Sequence, residues 1–261
     1  MKKMLTDVMF ASEKRKSMLL LLHEGPQEME TILKSLKTTR TALLPQAKIL
    51  KNYSLVTQSG DVYELTTIGK LIVDETKPFL DTIAAFEHTK GYFACHETEF
   101  IPPHLLKRIN EIKDCKIIEP SLINTYEINK DFIEKANESS SLSFIFTFVH
   151  PIFYQILSNF AEKNKDVHVI ITEELFEKLK EDWYEEFKEL IDGGKIKFYI
   201  CQKHMELLSL SVSKHCFNLR LLSKTNEFSN KQLACCNPRA KQWSKDLFEY
   251  YLKDSTAITK I

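Results

Sequence analysis

Apolar residues at helical spacing, followed by a two-strand pattern, run from Ser12 to Thr66 and constrain the fold more than any other feature. Ser12 is a helix-capping residue and Glu13 follows it, so a first helix is predicted to begin there. Spacings of three and four residues define the predicted buried faces of three helices: Met18, Leu19, Leu21 and Leu22; Met29, Ile32, Leu33 and Leu36; and Leu43, Ala47 and Leu50. Gly25-Pro26 is predicted to end the first helix and open the second.

Two β-type runs follow the third helix and complete the pattern. Residues 55–58 and 62–65 flank Ser59-Gly60-Asp61, which is typical of a hairpin turn. Pro45 is expected in the first turn of the third helix or just past it, where it removes one backbone donor. Three helices and a two-stranded wing are the layout of a winged helix-turn-helix domain, which is therefore predicted for residues 1–66.

The third helix, about residues 41–52 with Arg40 at its start, carries basic and amide side chains and no acidic residue. Such side chains suit a helix that enters the major groove of double-stranded DNA. Residues 1–52 contain ten Lys or Arg against five Asp or Glu, although the whole chain has zero formal net charge. The predicted DNA contacts are Thr39, Arg40, Thr41 and Gln46 near base edges, and Lys48 and Lys51 at phosphates. A winged helix used for protein contacts is the alternative.

Residues 67–98 are predicted to form a connector. A long helix should start at Thr66 or Thr67, reach about Phe93 and kink at Pro78. Its apolar stripe comprises Ile68, Leu71, Ile72, Phe79, Leu80, Ile83 and Phe86. We interpret the stripe as a homodimer seam that sets two DNA-reading domains one DNA turn apart, roughly 34 Å. Packing on the chain's own second domain is the alternative.

Residues 99–261 alternate between helix and strand patterns. Helices are predicted over 103–113, 131–139, 152–163, 174–191 and 238–252, and strands over 116–118, 142–149, 167–172, 196–201, 207–212 and 217–222. The alternation predicts an α/β domain with a sheet that is parallel at its start. The last three strands are too close together for helical crossovers, so part of the sheet should be antiparallel. The expected class is α/β, or α+β for the chain as a whole.

Three phrases carry a family resemblance: DVMFASEKRKSMLLLLHEGP, IPPHLLKRI and NPRAKQWSKDLFEYY, in that order. With them the chain resembles, over essentially its whole length, archaeal and especially methanogen winged-helix regulators that carry a FilR-type middle domain. The resemblance implies an N-terminal DNA-binding domain and a C-terminal effector domain. It also implies distant similarity to sugar-responsive TrmB-type regulators, whose C-terminal domain is similar to one lobe of the phospholipase D fold.

Catalysis and metal binding are the alternatives that assign a specific chemistry to specific residues. A phospholipase D-like reaction needs a His with a Lys two residues later on a strand, and His88-Thr89-Lys90 fits only the spacing, on the connector helix. We therefore predict no catalytic residue, with a degenerate phosphodiesterase as the alternative. Cys201, His204, His215 and Cys216 suit zinc by residue type, but the adjacent His215 and Cys216 point to opposite faces of a strand. No metal or cofactor is predicted.

The six cysteines have no repeated C-x-x-C spacing, which indicates reduced thiols. Cys235-Cys236 lies near Lys231 and Arg239 in sequence, so a thiol-responsive or metal-responsive regulator remains a further alternative.

Candidate effector ligands lie at the start of the last helix. Arg239, Lys241 and Gln242 could hold an anionic or hydroxylated molecule near that helix N-terminus, and His150 at a strand end is a fourth candidate. No run approaches the roughly 18 apolar residues that span a membrane, and no signal-peptide core follows the N-terminal charges. The sequence predicts a cytoplasmic, homodimeric regulator that binds double-stranded DNA and an unknown small-molecule effector, with no membrane partner.

Overall fold

The chain folds into two compact units, Met1–Leu80 and Asp81–Ile261. The computed structural model describes residues 4–89, 91–120, 129–225 and 229–261. The first unit contains α1 (Leu5–Phe10), α2 (Glu13–Leu22), β1 (Gln27–Glu28), α3 (Met29–Ser35), α4 (Arg40–Asn52), β2 (Val56–Ser59), β3 (Val62–Leu65) and the beginning of α5 (Thr67–His88). The boundary between the units falls within α5.

Two hydroxyl side chains set the starts of helices in the first unit, as predicted. Ser12 Oγ accepts a hydrogen bond from the Arg15 amide at 3.5 Å and caps α2. Thr66 Oγ1 accepts from the Gly69 amide at 3.0 Å and donates to the Ser54 carbonyl at 2.6 Å. A Cβ at Gly69 would lie 2.0 Å from the Leu55 carbonyl oxygen, so only glycine permits this close approach of α5 to the hairpin.

The core of the first unit confirms most of the predicted inward positions. The buried members are Met18, Leu19, Leu22, Met29, Ile32, Leu43, Ala47 and Leu50, joined by Leu55, Val56 and Tyr63 of the hairpin region. Leu21, Leu33 and Leu36 are half-buried and pack at the edge of this core.

Two local expectations in the first unit are wrong. Pro26 does not open a helix, because β1 follows it and pairs antiparallel with β3, which makes the wing a three-stranded sheet. The hairpin turn is Gly60-Asp61 alone, since Ser59 pairs with Val62. Pro45 lies just past the first turn of α4, which begins at Arg40, as predicted. In addition, α1 was not predicted.

Helix α5 runs through Pro78 as one helix and ends at His88, short of the predicted end near Phe93. Gly91 has a left-handed backbone, φ 76°, and precedes the short helix α6 (Tyr92–Cys95).

The second unit continues with a helical and strand order close to the predicted one. Its further elements are α7 (Pro103–Leu106), a 3-10 turn (Ile109–Ile112), β4 (Lys116–Ile118), α8 (Lys130–Asn137), β5 (Ser141–Phe146), α9 (Phe153–Glu162), β6 (Asp166–Thr172), α10 (Glu173–Asp182), α11 (Tyr184–Asp192), β7 (Ile196–Cys201), β8 (Leu207–Ser213), β9 (Phe217–Leu221), β10 (Gln232–Cys235), α12 (Pro238–Lys253) and β11 (Ser255–Ile258).

These strands form one eight-stranded sheet in the order β11-β7-β6-β5-β8-β9-β10-β4. Strands β5, β6 and β7 are parallel, and every other pairing is antiparallel, which confirms the predicted mixed sheet and the α/β class. Alternate residues of the strands enter two separate cores. One face packs against α12 through Trp243 and Tyr251, and the other packs against α8 to α11 through Phe132, Leu157 and Phe187.

Some elements of the second unit differ from the prediction. The helix expected over 174–191 is two helices, α10 and α11, separated at Trp183, whose φ of −140° is incompatible with helix. The helix expected over 103–113 is α7 followed by the 3-10 turn. Strands β10 and β11 were missed. Among the described residues, no helix combines the length and the apolar character needed to cross a membrane.

A buried arginine holds α4 against the first two helices. Arg15, 6% exposed, donates from Nη1 to Gln46 Oε1 at 2.6 Å, from Nε to the Val8 carbonyl and from Nη2 to the Asp7 carbonyl at 3.4 Å. The amide of Gln46 therefore faces into the unit. The guanidinium satisfies carbonyls that close the end of α1, so one side chain joins α1, α2 and α4.

Replacing Gln46 with Ala should lower the free energy of unfolding by about 1–3 kcal/mol, because a half-buried charged hydrogen bond loses its acceptor. Urea unfolding measures this change. Lys48→Ala, on the exposed side of the same helix, is the control and should change stability by no more than about 0.5 kcal/mol. Equal effects of the two substitutions would contradict the structural role of Gln46.

Candidate functional site

One side of α4 is exposed along its whole length. Thr41, Leu44, Pro45, Lys48 and Lys51 recur at spacings of three and four residues, and all are exposed; we call them the α4 outer face. The opposite side of the helix is buried in the core of the unit. The helix contains no acidic residue, so the only charges on the outer face are positive.

The outer face adjoins the wing. Lys51 Nζ donates to Gln58 Oε1 at 2.8 Å, and Gln58 Nε2 donates to the Gly60 carbonyl at 2.8 Å. This chain of contacts links the hairpin to the C-terminal end of α4. The hydroxyls of Thr39 and Thr41 lie 3.1 Å apart at the other end of the helix.

Arg40 lies at the first position of α4 and is paired with acids of neighbouring elements. Its Nη2 is 3.2 Å from Asp61 Oδ1 and 3.5 Å from Glu30 Oε1, and all three side chains are about half exposed or more. Exposed ion pairs of this kind contribute little to stability, about 0–1 kcal/mol, so Arg40 can exchange these carboxylates for another anion.

Of the six predicted DNA contacts, the structure brings Thr39, Arg40, Thr41, Lys48 and Lys51 to the surface. Gln46 differs, because its side-chain oxygen accepts from Arg15 inside the unit. Sequence reasoning missed Leu44, which is 42% exposed in the middle of the outer face. Its signal was available, since Leu44 does not share the phase of the buried Leu43, Ala47 and Leu50.

A cavity lies in the second unit, between the sheet and helices α8 and α9. Its apolar lining is mainly aromatic and includes Phe132, Phe144, Phe146, Phe148 and Phe153. Its polar lining includes His150, Ser209, Ser211, Asn218 and Arg220.

Strand register explains how the polar side chains converge. Phe146 pairs with Ser209, which pairs with Arg220, and the next row outward is Phe144, Ser211 and Asn218. The two rows are two residues apart on every strand, so all six side chains share one face of the sheet. Burial lowers the pKa of Arg220, because desolvation disfavours the charged guanidinium.

The four predicted effector ligands do not converge. His150 lines the cavity, where its Nδ1 accepts from the Ile152 amide at 3.4 Å. Helix α12 packs on the opposite face of the sheet, and its predicted ligands have other partners or face solvent. Lys241 Nζ donates to the Lys214 carbonyl at 2.9 Å, Gln242 donates to Asp246 at 2.6 Å, and Arg239 is exposed. A role of Arg239, Lys241 and Gln242 in effector binding stays a prediction.

Cysteines cluster at the other end of the same sheet. The register of β10 with β4 pairs Ala234 with Lys116, so Cys235 lies opposite Cys115. A hydrogen bond from the Cys115 thiol lowers the pKa of Cys235 to about 7, and the same contact together with burial raises the pKa of Cys115. The neighbouring Cys236 accepts from Lys135 Nζ at 3.1 Å.

The residues considered for catalysis and for zinc binding lie in different surroundings. His88 ends α5, with Nδ1 3.0 Å from the Lys113 carbonyl, and Lys90 lies outside the described residues. Cys201 and Cys216 are buried, whereas His204 is exposed beside Glu206. No group of three or more His, Cys, Asp or Glu side chains in the described ranges is arranged to hold a metal ion.

Comparison with known proteins gives the family. Residues 4–84 match the family described as "Methanogenesis regulatory protein FilR1, N-terminal domain", and residues 125–254 match "Methanogenesis regulatory protein FilR1, middle domain". The methanogenesis regulatory protein FilR1 of Methanothrix harundinacea (strain 6Ac) is 20% identical over 256 residues, which are 96% of this chain and 57% of that protein. The chain thus spans little more than half the length of this relative.

Two solved structures are more distant. The archaeal chromatin protein TrmBL2, whose structure shows a novel mode of DNA binding, has 12% identity, 95% coverage of both chains and a TM-score of 0.42. Phosphatidylserine synthase of Haemophilus influenzae Rd KW20 has 12% identity, covers 46% of this chain and 34% of its own, and has a TM-score of 0.35.

The two family matches confirm the resemblance predicted from the three sequence phrases, and they cover the winged-helix unit and most of the α/β unit. The matched FilR1 protein aligns with nearly the whole chain in addition. The chain therefore belongs to the FilR1 family of regulatory proteins.

Proposed function

We propose that this protein is a transcription regulator that binds double-stranded DNA through the α4 outer face, and whose second unit binds a small-molecule effector. The observation that carries the proposal is an exposed helix face with cations and no acid, whose opposite side is buried in the core of the unit. An α-helix fits the major groove, where cationic and amide side chains meet phosphates and base edges.

The outer face divides into two kinds of contact. Lys48 and Lys51 extend from the middle and end of the helix and suit phosphates, which position a protein without specifying sequence. Thr41, and Arg40 beside the face at the start of the helix, suit base edges or nearby phosphates. Leu44 and Pro45 lie between these groups and offer apolar surface to thymine methyl groups.

Helix α5 supports the proposal of a homodimer. Ile68, Leu71, Phe79, Ile83 and Phe86 are all exposed and form one long apolar side of the helix. Contiguous apolar surface of this kind marks an interaction site, and a two-fold contact would join the same stripe from two copies. The stripe begins directly after the wing. Pairing of two copies through it would hold their two winged-helix domains at a defined spacing on DNA.

Effector control requires two states with different affinities for the effector. We propose that these states differ in the spacing of the two winged-helix domains of the dimer. Residues 67–98 would transmit the change from the effector-binding unit to these domains. DNA and effector would then alter each other's binding by the same factor.

A thiol-responsive regulator is the second candidate, favoured by the Cys115–Cys235 pair. Directly opposed residues on antiparallel strands have Cα separations of about 4.5–5.5 Å, within the range that a disulfide spans. Peroxide would oxidise the Cys235 thiolate to a sulfenic acid, and the Cys115 sulfur would displace hydroxide from it to form the disulfide. Two thiols thereby lose two electrons and two protons, and the peroxide becomes two waters.

Replacing both Lys48 and Lys51 with Ala should weaken binding to a mixed-sequence duplex and flatten its salt dependence. Each lost phosphate contact removes about 0.9 from the slope of log K against log salt, so the pair should remove up to about 1.8. The control replaces Lys178 and Lys188 with Ala, which removes the same charge from α10 and α11, where the two lysines pair with Asp182 and Asp192. Identical slopes for the two double variants would refute the groove assignment.

Sedimentation equilibrium at micromolar concentration should show a dimer. Leu71→Glu combined with Phe79→Glu should give a monomer, because these side chains are 63% and 56% exposed in the single chain and would be desolvated at the seam. Tyr184→Glu, at an exposed aromatic residue of α11, should leave the dimer intact. A monomeric unchanged protein, or a dimer that persists with both glutamates, would contradict the proposed homodimer contact through α5.

Treatment with hydrogen peroxide should join Cys115 to Cys235, with a rate that rises with pH. The pKa of Cys235, lowered to about 7 by the Cys115 hydrogen bond, places its nucleophilic thiolate above that pH and its unreactive thiol below. Peptide mapping by mass spectrometry over pH 6 to 8 measures the linkage, with Cys95→Ser as control because Cys95 is exposed and outside the pair. A rate independent of pH, or a different disulfide, would exclude this candidate.

A further inference from the structure

The cavity in the second unit has a polar floor where the fold would normally place apolar side chains. The sheet face beneath α8 to α11 is apolar on β5, β6 and β7, with Phe144, Val169 and Phe198 among its residues. On β8 and β9 the same face carries the buried Ser209, Asn218 and Arg220. Alternate residues of these strands, including Leu210 and Leu219, enter the opposite core. The polarity is therefore local to the cavity.

Arg220 supplies positive charge to this floor. It is 6% exposed, and arginine is rarely buried so deeply. The Gln232 amide, with its oxygen turned toward the guanidinium, accepts from Arg220 Nε at 3.1 Å and also from Arg220 Nη2, and so fixes the orientation of the guanidinium. A carboxylate or a similar anion is attracted to a guanidinium and can accept charge-assisted hydrogen bonds from it, and the interaction is stronger in a dry cavity than in water.

Aromatic rings form the wall that faces this charge. Phe144 and Phe146 stack with centroids 5.4 Å apart and planes at 12°, and Phe153 meets Phe146 edge to face at 5.3 Å. These rings hold each other in place, so the wall is formed before any ligand arrives. Flat apolar groups gain both buried area and favourable ring geometry against such a surface.

His150 adds a hydrogen-bonding group to the cavity lining. Because its Nδ1 accepts from the Ile152 amide at 3.4 Å, the neutral ring carries its proton on Nε2. A second donor of this kind suits an acceptor oxygen on the ligand.

From the juxtaposition of a buried guanidinium, a serine and asparagine floor and a phenylalanine wall, we infer that this cavity binds a small organic anion with a flat apolar body. The anionic group lies at Arg220 and the body lies against Phe144, Phe146 and Phe153. This inference deepens the proposed effector function of the second unit and depends on it for its biological meaning. A neutral sugar fits less well, because the aromatic wall offers no hydrogen bonds to its rim.

Isothermal titration calorimetry of the full chain with 2-naphthoate tests the inference. We expect one naphthoate per chain, bound at least about tenfold more tightly than 2-naphthalenemethanol, which has the same body without the charge. Arg220→Met should abolish this preference for the anion, and Arg220→Lys should retain part of it, because a lysine keeps the charge and loses the fork. Arg239→Met, which removes an exposed arginine on the other face of the sheet, should keep the full preference.

Equal affinity for naphthoate and the alcohol in the unchanged protein would overturn the inference, and this comparison needs no variant to fold. Failure of 2-naphthoate, phenylacetate and octanoate all to bind would overturn it as well. The same holds if Arg239→Met changes the preference as much as Arg220→Met does. These titrations contain no DNA, so they fail or succeed separately from the DNA titrations of the Lys48 and Lys51 variants.

Discussion

The apolar inner side of α4, formed by Leu43, Ala47 and Leu50, determines the orientation of that helix. All three side chains are fully buried in the core of the first unit. At roughly 1.5–3 kcal/mol for each large side chain buried, turning the helix about its axis would cost more than a small unit can lose. Helical geometry then places Thr41, Leu44 and Lys48 outward. The Arg15–Gln46 contact adds a directional restraint, because it holds one further side of α4 against the first two helices.

The second unit uses its sheet in a different way. One face packs its apolar residues against Trp243 and Tyr251 of α12. The other face is apolar on its parallel strands and polar on β8 and β9, and the cavity lies at this change of character. A buried cation costs free energy, so its retention among phenylalanines is more readily understood as ligand recognition than as a contribution to stability. The proposed DNA contacts and the proposed ligand cavity thus lie in separate units of the chain.

The fold was predictable from the sequence in those segments that have a clear hydrophobic periodicity and clear helix-capping residues. Local sequence patterns predicted the helix caps at Ser12 and Thr66. They also predicted the three helices of the winged-helix domain and the mixed sheet. The two-residue strand β1 is too short to produce a period, and its pairing with β3 is a tertiary contact. The break at Trp183 interrupts an otherwise continuous helical pattern, and nothing in the residue types marks it.

The candidate sites were predictable to different degrees. Lys48 and Lys51 could be placed because a helix with a known buried side has a known exposed side. Gln46 could not, since its partner Arg15 lies 31 residues away. Arg220 escaped notice because alternating apolar and polar residues in β9 predict a strand with one face in solvent. Only the packing of α8 and α9 over that face turns its polar residues into the lining of a cavity.

The central claim is that the α4 outer face meets duplex DNA, and a photo-crosslinking group in place of Leu44 tests it most directly. Leu44 lies in the middle of that face, so irradiation with duplex DNA should give a protein–DNA adduct that excess unlabelled duplex suppresses. The same group at Tyr184, on α11, should give none. Absence of the adduct from position 44, or equal yields from both positions, would contradict the account.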